Sequence, residues 1–159
     1  AGNGHDTILL AELVGASGSV IAFDIQEQAV QETKRKIDEC GYAERTEVVL
    51  DSHVHMGAYA KENTVSCITF NFGYLPGGDH TLATKADTSV QAIEEGLRLL
   101  KKDGLMSLCI YSGGDSGFEE KERILAYLKE LDPKKYLVIV SEYYNRPNHP
   151  PVPAFVIKL

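Results

Sequence analysis

Short apolar runs of strand length recur along this chain and are separated by longer amphipathic segments. The runs are rich in Val, Ile, Leu and Phe, a composition typical of buried β-strands. We predict strands at residues 20–24, 46–50, 65–70, 105–111, 136–142 and 154–159. The run VSCITF at 65–70 is apolar at nearly every position, which predicts a strand covered on both faces. The last two runs have no helical segment between them, so we expect an antiparallel pair.

The segments between these runs place apolar residues three or four positions apart, as one face of a helix requires. We predict helices at 6–14 and 26–40, a short helix near Ser52, and a long helix that ends at Gly104. A further helix follows the strand at 105–111. The predicted buried faces carry Val30, Thr33, Ile37 and Cys40, then Val90, Ile93, Leu97 and Leu100, and finally Ile124, Leu128 and Leu131.

This alternation predicts a single α/β domain over residues 1–159, with a Rossmann-like, doubly wound and mostly parallel sheet and an antiparallel C-terminal hairpin. The opening AGNGHDT starts inside a glycine turn with no strand before it. We therefore expect that an N-terminal helix and a first strand are missing from this sequence. Ligands of such sheets bind at the carboxyl ends of the strands, which directs attention to the residues found there.

Composition narrows the class of partner and the compartment. The formal net charge of -7 disfavours a protein that holds an extended nucleic-acid duplex, because such proteins carry a surplus of Lys and Arg. The three cysteines have no CxxC spacing, and two lie in strand-like runs, so we expect buried thiols in a cytoplasmic protein. No run reaches the roughly 20 apolar residues of a membrane span, so no membrane association is expected.

The strand ends carry residues suited to a nucleoside-containing cofactor. Gly2 and Gly4 precede the first helix, where bare backbone can approach an anionic group. Asp24 ends the next strand, where an acidic residue typically accepts hydrogen bonds from ribose hydroxyls. The dinucleotide fingerprint requires a third glycine at the position of Thr7, which disfavours NAD and FAD. S-adenosyl-L-methionine fits better, with contacts predicted from Gly2, Asn3, Gly4, Asp6, Thr7, Asp24, Ile25, Asp51, Ser52, His53, Asn71 and Gly73.

The loop NFGYLPGGDH, after the run at 65–70, supplies candidates for the substrate side. Asn71-Phe72-Gly73-Tyr74 looks like a variant of the N-P-P-Y motif of amino-group methyltransferases. The Asn71 amide oxygen can accept N–H bonds from an uncharged amine and aim the lone pair of its nitrogen, whereas water, Asp79 or His80 can take the proton. Tyr74 offers a face on which an RNA base can stack. Asn71 and Tyr74 can instead serve only as a turn former and as loop packing.

The blocks GNGHDT, FDIQEQA, LDSH, NFGYLPGGDH and N-x-P-N-H-P-P together resemble the YtqB/MnmM family of bacterial methyltransferases, long labelled rRNA methylases. The resemblance covers nearly the whole chain. It implies a class I methyltransferase fold, S-adenosyl-L-methionine as donor, and homodimers. The implied substrate is a tRNA anticodon loop, methylated on the aminomethyl nitrogen of 5-aminomethyl-2-thiouridine at the wobble position. Ribosomal RNA is the alternative substrate.

Three other functions stay open on the sequence. Asp51, His53 and His55 alternate as metal ligands can, but no further His or Cys cluster completes a tetrahedral set, so we predict no metal. A small-molecule N- or O-methyltransferase would use the same donor. A nucleotide- or RNA-binding module without activity is the non-enzyme alternative. In the loop before the last strand, Asn145, Arg146, Asn148 and His149 are candidates for RNA contact or for a proline-stiffened surface loop.

Overall fold

A computed structural model describes residues 1–73, 86–112 and 115–159, and the chain divides into two compact units, Ala1–His55 and Met56–Leu159. The helices and strands are α1 (His5–Leu13), β1 (Val20–Asp24), α2 (Glu27–Glu39), β2 (Thr46–Leu50), β3 (Val65–Phe72), α3 (Ala86–Leu99), β4 (Leu100–Ile110), α4 (Asp115–Lys129), β5 (Tyr136–Val140) and β6 (Val152–Lys158). Two 3₁₀ helices lie at Ala43–Arg45 and His53–Ala58.

The first unit is a two-stranded parallel sheet with two helices. β1 and β2 have the predicted bounds and pair in parallel, so that Asp24 and Leu50 are aligned at their carboxyl ends. α2 also confirms its prediction, because Val30, Thr33 and Ile37 are buried and the chain turns away at Gly41 in a left-handed conformation. Cys40, predicted on the same buried face, is exposed at the end of the helix.

The second unit contains a four-stranded sheet in the order β3-β4-β6-β5. β3 and β4 pair in parallel, whereas β6 runs antiparallel to both β4 and β5, which confirms the predicted C-terminal hairpin. α3 and α4 pack against each other, and their inward residues Ile93, Leu97, Ile124 and Leu128 are buried. An added Cβ on Gly96 would lie 2.7 Å from Met106 Cε, so this glycine allows α3 to lie close to the sheet.

Two predictions about this unit are wrong. The long helix ends at Leu99 rather than at Gly104, because Leu100 already pairs with Val65. The register of β4 against β3 then shifts at an irregularity in which Asp103 has a left-handed φ of 62°. β3 is covered on one face, with Phe70 and Phe72 buried, while Cys67 and Thr69 are exposed. The continuous apolar run at 65–70 therefore wrongly predicted that both faces of this strand are covered.

Among the described residues, no helix has the length and apolarity that a membrane crossing requires.

Candidate cofactor and substrate sites

The glycine turn at the start of the first unit brings bare backbone to the amino end of α1. Gly2 and Gly4 adopt left-handed conformations, with φ of 54° and 79°, which glycine tolerates best. Gly4 is also crowded, because an added Cβ would lie 3.3 Å from Thr33 Oγ1 and 3.4 Å from Thr33 Cα. Both the conformation and the close approach of α2 thus favour glycine at this position.

The Asp24 carboxylate holds the glycine turn against the end of β1. Its Oδ2 accepts the Gly2 N–H at 2.7 Å, while its Oδ1 accepts the Gln26 N–H at 3.0 Å. The side chain is 16% exposed. Because each carboxylate oxygen has two lone pairs, Oδ1 keeps the capacity to accept a further hydroxyl. Asp24 therefore both shapes the turn and faces it with an acceptor.

Two residues of α2 support the turn and were missed as site residues. Thr33, fully buried, donates from Oγ1 to Gly2 O at 3.2 Å. Lys36 donates from Nζ to Asn3 O at 2.7 Å and lies 3.5 Å from Glu32. They lie on one side of the helix because they are three residues apart. A buried threonine on an otherwise apolar face was the available signal for Thr33, whereas Lys36 resembled an ordinary solvated charge.

The end of β2 carries a second polar cluster. The Asp51 N–H donates to Asp24 O at 3.0 Å, which ties the tips of the two strands together. Asp51 Oδ1 accepts the Ser52 N–H at 2.6 Å and lies 2.7 Å from His55 Nδ1. Burial lowers the pKa of His53 below its usual 6.5 and so favours the neutral ring. Among the described residues, no group of three or more His, Cys, Asp and Glu side chains is arranged to hold a metal ion.

The other residues predicted to contact the cofactor in this unit differ in exposure. Thr7 is buried in α1, whereas Asn3 and Asp6 are exposed beside it. The Ile25 side chain is 56% exposed directly after Asp24. An exposed isoleucine at the end of a parallel strand offers apolar surface to a ligand.

The predicted substrate side begins at the end of β3, in the second unit. Asn71 is exposed and aligned with Cys109, while its neighbour Phe72 is 1% exposed. Gly73 has φ of 126°, and an added Cβ would lie 2.8 Å from Tyr111 Cβ. The Tyr111 N–H donates to Phe72 O at 3.0 Å. The chain after Asn71 thus passes so close to β4 that only glycine fits at position 73.

The remaining predicted catalytic residues, Tyr74, Asp79 and His80, lie outside the described residues.

The loop between β5 and β6 carries an exposed aromatic and polar surface. The His149 ring meets the Phe118 ring edge to face, with centroids 5.4 Å apart and an interplanar angle of 82°. Ser112, at the end of β4, donates from Oγ to His149 O at 3.4 Å. Asn148 and His149 have left-handed φ values of 66° and 50°. Asn145 and Arg146 are exposed in the same loop. The loop therefore has a defined conformation and presents its side chains outward.

Residues 20–157 match the model of the family described as "Putative rRNA methylase". The chain belongs to this rRNA methylase family. The match includes residues of both units, and the resemblance drawn from the sequence blocks is confirmed.

Solved structures support the family and the fold. A protein with the same description from Clostridium thermocellum is 40% identical, with a TM-score of 0.95 over 99% of this chain and 84% of that one. A "putative methyltransferase" from Streptococcus mutans, crystallised with SAH, is 32% identical, with a TM-score of 0.87 over 99% of this chain and 84% of that one. The predicted Rossmann-like class I methyltransferase fold is thus confirmed for this member of the rRNA methylase family.

A curated relative adds a substrate to the comparison. The chloroplastic tRNA (mnm(5)s(2)U34)-methyltransferase of Arabidopsis thaliana is 36% identical over 166 aligned residues. The alignment includes 99% of this chain and 60% of the plant protein, so this rRNA methylase family member spans less than two thirds of that relative's length.

Proposed function

We propose that this chain forms the catalytic part of an S-adenosyl-L-methionine-dependent N-methyltransferase that modifies tRNA. The proposed acceptor is the aminomethyl nitrogen of 5-aminomethyl-2-thiouridine at the wobble position of the anticodon loop. The observation that supports this substrate is the 36% identity with the Arabidopsis enzyme along nearly the whole chain. The activity, substrate and partners of the whole protein are all part of this proposal.

The first unit has the groups that the methyl donor needs. Asp24 Oδ1 retains acceptor capacity for ribose hydroxyls, and Ile25 offers apolar surface for adenine. The amino end of α1, opened by Gly2 and Gly4, suits the carboxylate of the amino-acid portion. We assign the adenine edge to Asp51, Ser52 and His53, and further donor contacts to Asn3, Asp6 and Thr7 of the same unit. When bound, S-adenosyl-L-methionine supplies a methyl group on a sulfonium sulfur.

Asn71 is proposed to orient the acceptor amine. Its amide oxygen accepts an N–H bond from the uncharged amine, so that the nitrogen lone pair is held in one direction. Holding a near-attack geometry contributes much of the rate in such transfers. Asn71 cannot remove the proton that the amine must lose, and we assign that step to water, Asp79 or His80. Tyr74 is proposed to stack on the wobble base.

The loop before β6 is proposed to contact the RNA. The rings of Phe118 and His149, with Arg146 exposed nearby in sequence, combine stacking faces with a cation, which suits single-stranded RNA. A small footprint on an anticodon loop is compatible with a net charge of -7, because few phosphates need to be neutralised. We further propose a cytoplasmic homodimer; all three cysteines are free, as a reducing compartment favours.

The decisive experiment incubates the full-length protein and S-adenosyl-L-methionine with tRNA bearing 5-aminomethyl-2-thiouridine, followed by mass spectrometry of the released nucleosides. Gain of one methyl group on that nucleoside is the expected result. Control tRNA that lacks the aminomethyl group should gain none, because it has no acceptor nitrogen.

Other outcomes separate the alternatives. Methylation of ribosomal RNA, which the family description favours, with none on tRNA would replace the substrate but keep the enzyme class. Calorimetric binding of the donor without turnover on tRNA, ribosomal RNA or small amines would indicate a binding module and refute the enzyme.

A further inference from the structure

We propose that Thr33 is a positioning residue for the methyl donor: its hydroxyl fixes the direction of the Asn3 N–H, which then binds the carboxylate of the donor's amino-acid portion. The inference rests on the proposed use of S-adenosyl-L-methionine and names a residue on which that use depends. Thr33 lies in the middle of α2 and is 0% exposed. A hydroxyl buried on an apolar helix face is unfavourable unless it makes a hydrogen bond, so its partner indicates its role.

The partner of Thr33 is a carbonyl of the glycine turn. Thr33 Oγ1 donates to Gly2 O at 3.2 Å. In a planar trans peptide, the C=O and the N–H of the following residue point in opposite directions. Because the Gly2 carbonyl points toward α2, the Asn3 N–H points away from α2. Glycine adopts positive and negative φ with similar ease, so Gly2 alone does not decide this direction, and the hydrogen bond from Thr33 does.

The Asn3 N–H is the amide of this turn that stays available to a ligand. The Gly2 N–H donates to Asp24 Oδ2 at 2.7 Å, and the Gly4 N–H donates to Ala1 O at 3.0 Å. Within the described part of the chain, no acceptor lies at hydrogen-bond distance from the Asn3 N–H. Asn3 is exposed beside the amino end of α1, where the helix dipole favours an anion. A carboxylate at this place gains both interactions.

The turn packs closely against Thr33. An added Cβ on Gly4 would lie 3.3 Å from Thr33 Oγ1 and 3.4 Å from both Thr33 Cα and Thr33 Cγ2. The hydroxyl and the methyl group of Thr33 therefore both border the turn. Valine keeps the methyl group and replaces the hydroxyl, whereas serine keeps the hydroxyl and lacks the methyl group. These two substitutions separate the hydrogen bond from the packing.

Lys36 holds the next carbonyl of the turn, one helical turn along α2. Its Nζ donates to Asn3 O at 2.7 Å and lies 3.5 Å from Glu32, and its side chain is 23% exposed. By the same peptide geometry, Lys36 directs the Gly4 N–H, which already donates to Ala1 O. Lys36 therefore stabilises the turn without setting the direction of the amide that is offered to the donor.

The test compares two ligands by isothermal titration calorimetry on the full-length protein and Thr33→Val. Adenosylhomocysteine carries the amino-acid portion, whereas 5′-methylthioadenosine has the same thioether nucleoside without it. We expect the dissociation constant of adenosylhomocysteine to rise about 5- to 10-fold in Thr33→Val, because affinity falls with the fraction of protein in which the Asn3 N–H faces the ligand. The dissociation constant of 5′-methylthioadenosine should change less than about twofold, since it has no carboxylate.

Three variants serve as controls. Thr33→Ser keeps the hydroxyl and should bind both ligands as the parent does. Thr46→Val makes the same chemical change in the same unit, at a buried Oγ1 that has no hydrogen-bond partner among the described residues, and should leave both constants unchanged. Lys36→Met should raise the constant for adenosylhomocysteine less than Thr33→Val does. The reverse order of these two effects would overturn the assignment to Thr33.

The affinities also show which results contradict the inference. Adenosylhomocysteine bound as tightly by Thr33→Val as by the parent would overturn it and leave the donor assignment intact. An equal loss for both ligands would show that Thr33 only supports the unit, and would overturn it as well. Urea unfolding checks that each variant is folded. If Thr33→Val does not fold, Thr33→Ala compared with Thr33→Ser isolates the same hydroxyl.

Methyl transfer on the same variants separates this inference from the proposed function. With saturating donor, Thr33→Val should transfer methyl groups at nearly the parent rate while its KM for the donor rises, because Thr33 acts through the turn and not on the reacting atoms. A slower rate with an unchanged KM would overturn the inference. The expected affinities without methylation of any RNA would keep the inference and reject the enzyme. A parent protein that binds neither ligand would reject both.

Discussion

Replacing Asp24 by alanine tests whether one carboxylate both shapes the glycine turn and binds the methyl donor. The substitution removes the acceptor for two backbone N–H groups, at 2.7 Å from Gly2 and 3.0 Å from Gln26. Hydrogen bonds to a charged group contribute roughly 1.5–3 kcal/mol each. The side chain is 16% exposed, so water replaces part of this interaction. We expect the free energy of unfolding to fall by about 2–4 kcal/mol.

Asp24→Ala should also weaken binding of the methyl donor, beyond any effect of the lower stability of the fold. Loss of the ribose acceptor and loosening of the turn together should raise the dissociation constant of adenosylhomocysteine about 10- to 100-fold, or about 1.4–2.8 kcal/mol. Isothermal titration calorimetry measures this constant, and urea unfolding measures stability. Asp38→Ala, an exposed aspartate of α2, is the matched control and should change neither quantity.

A deoxyribose analogue isolates the ribose contact. The parent protein should prefer adenosylhomocysteine over its 2′-deoxy form, and Asp24→Ala should lose most of that preference. Parent-like affinity in Asp24→Ala would refute the assigned role. Reduced stability with an unchanged preference for the ribose would show that Asp24 only supports the turn.

Three further outcomes can be measured on single variants. Asn71→Ala should keep donor affinity but slow methyl transfer at least about tenfold in single-turnover assays; a parent-like rate would remove Asn71 from the mechanism. Gly73→Ala should lower the free energy of unfolding by about 2–4 kcal/mol, because strain at φ of 126° adds to a 2.8 Å approach to Tyr111. Gly15→Ala, at φ of 66° with no atom within 4 Å, should cost only about 1–2 kcal/mol; equal losses would show that the contact is irrelevant. Because burial lowers the pKa of His53, the unfolded chain takes up its proton first as the pH falls below about 6.5. The free energy of unfolding should therefore decrease as the pH falls in that range. Above that range the contribution of His53 should be fully present. His53→Gln should flatten this slope in urea unfolding series, and an unaltered slope would assign it to other groups.

Local periodicity was sufficient for most elements of this chain. β1 and β2 begin and end at the predicted residues because each is a short run of strand-forming side chains bounded by polar residues. α2 was predictable from the spacing of Val30, Thr33 and Ile37 and from the glycine that follows the helix. The boundary between α3 and β4 was not predictable, because leucine occurs readily in both helices and strands. The pairing of Leu100 with Val65 decides where the strand begins.

The candidate site was predictable only in part, for a related reason. Gly2, Gly4, Asp24 and Asp51 stood out because residue type and position after a strand both indicated a ligand site. Thr33 gave only the signal of a polar residue on a buried face.

The sequence by itself determined the order of strands and helices, the glycine turn, and the acidic residues at the strand ends, since these depend on residues close together along the chain. Only the tertiary structure decided that Thr33 and Lys36 reach the glycine turn from more than 30 residues away. It also decided that the Asp24 carboxylate accepts hydrogen bonds from two backbone amides. Such contacts depend on how α2 packs beside β1. The spacing of side chains within one segment cannot predict how that segment packs against another.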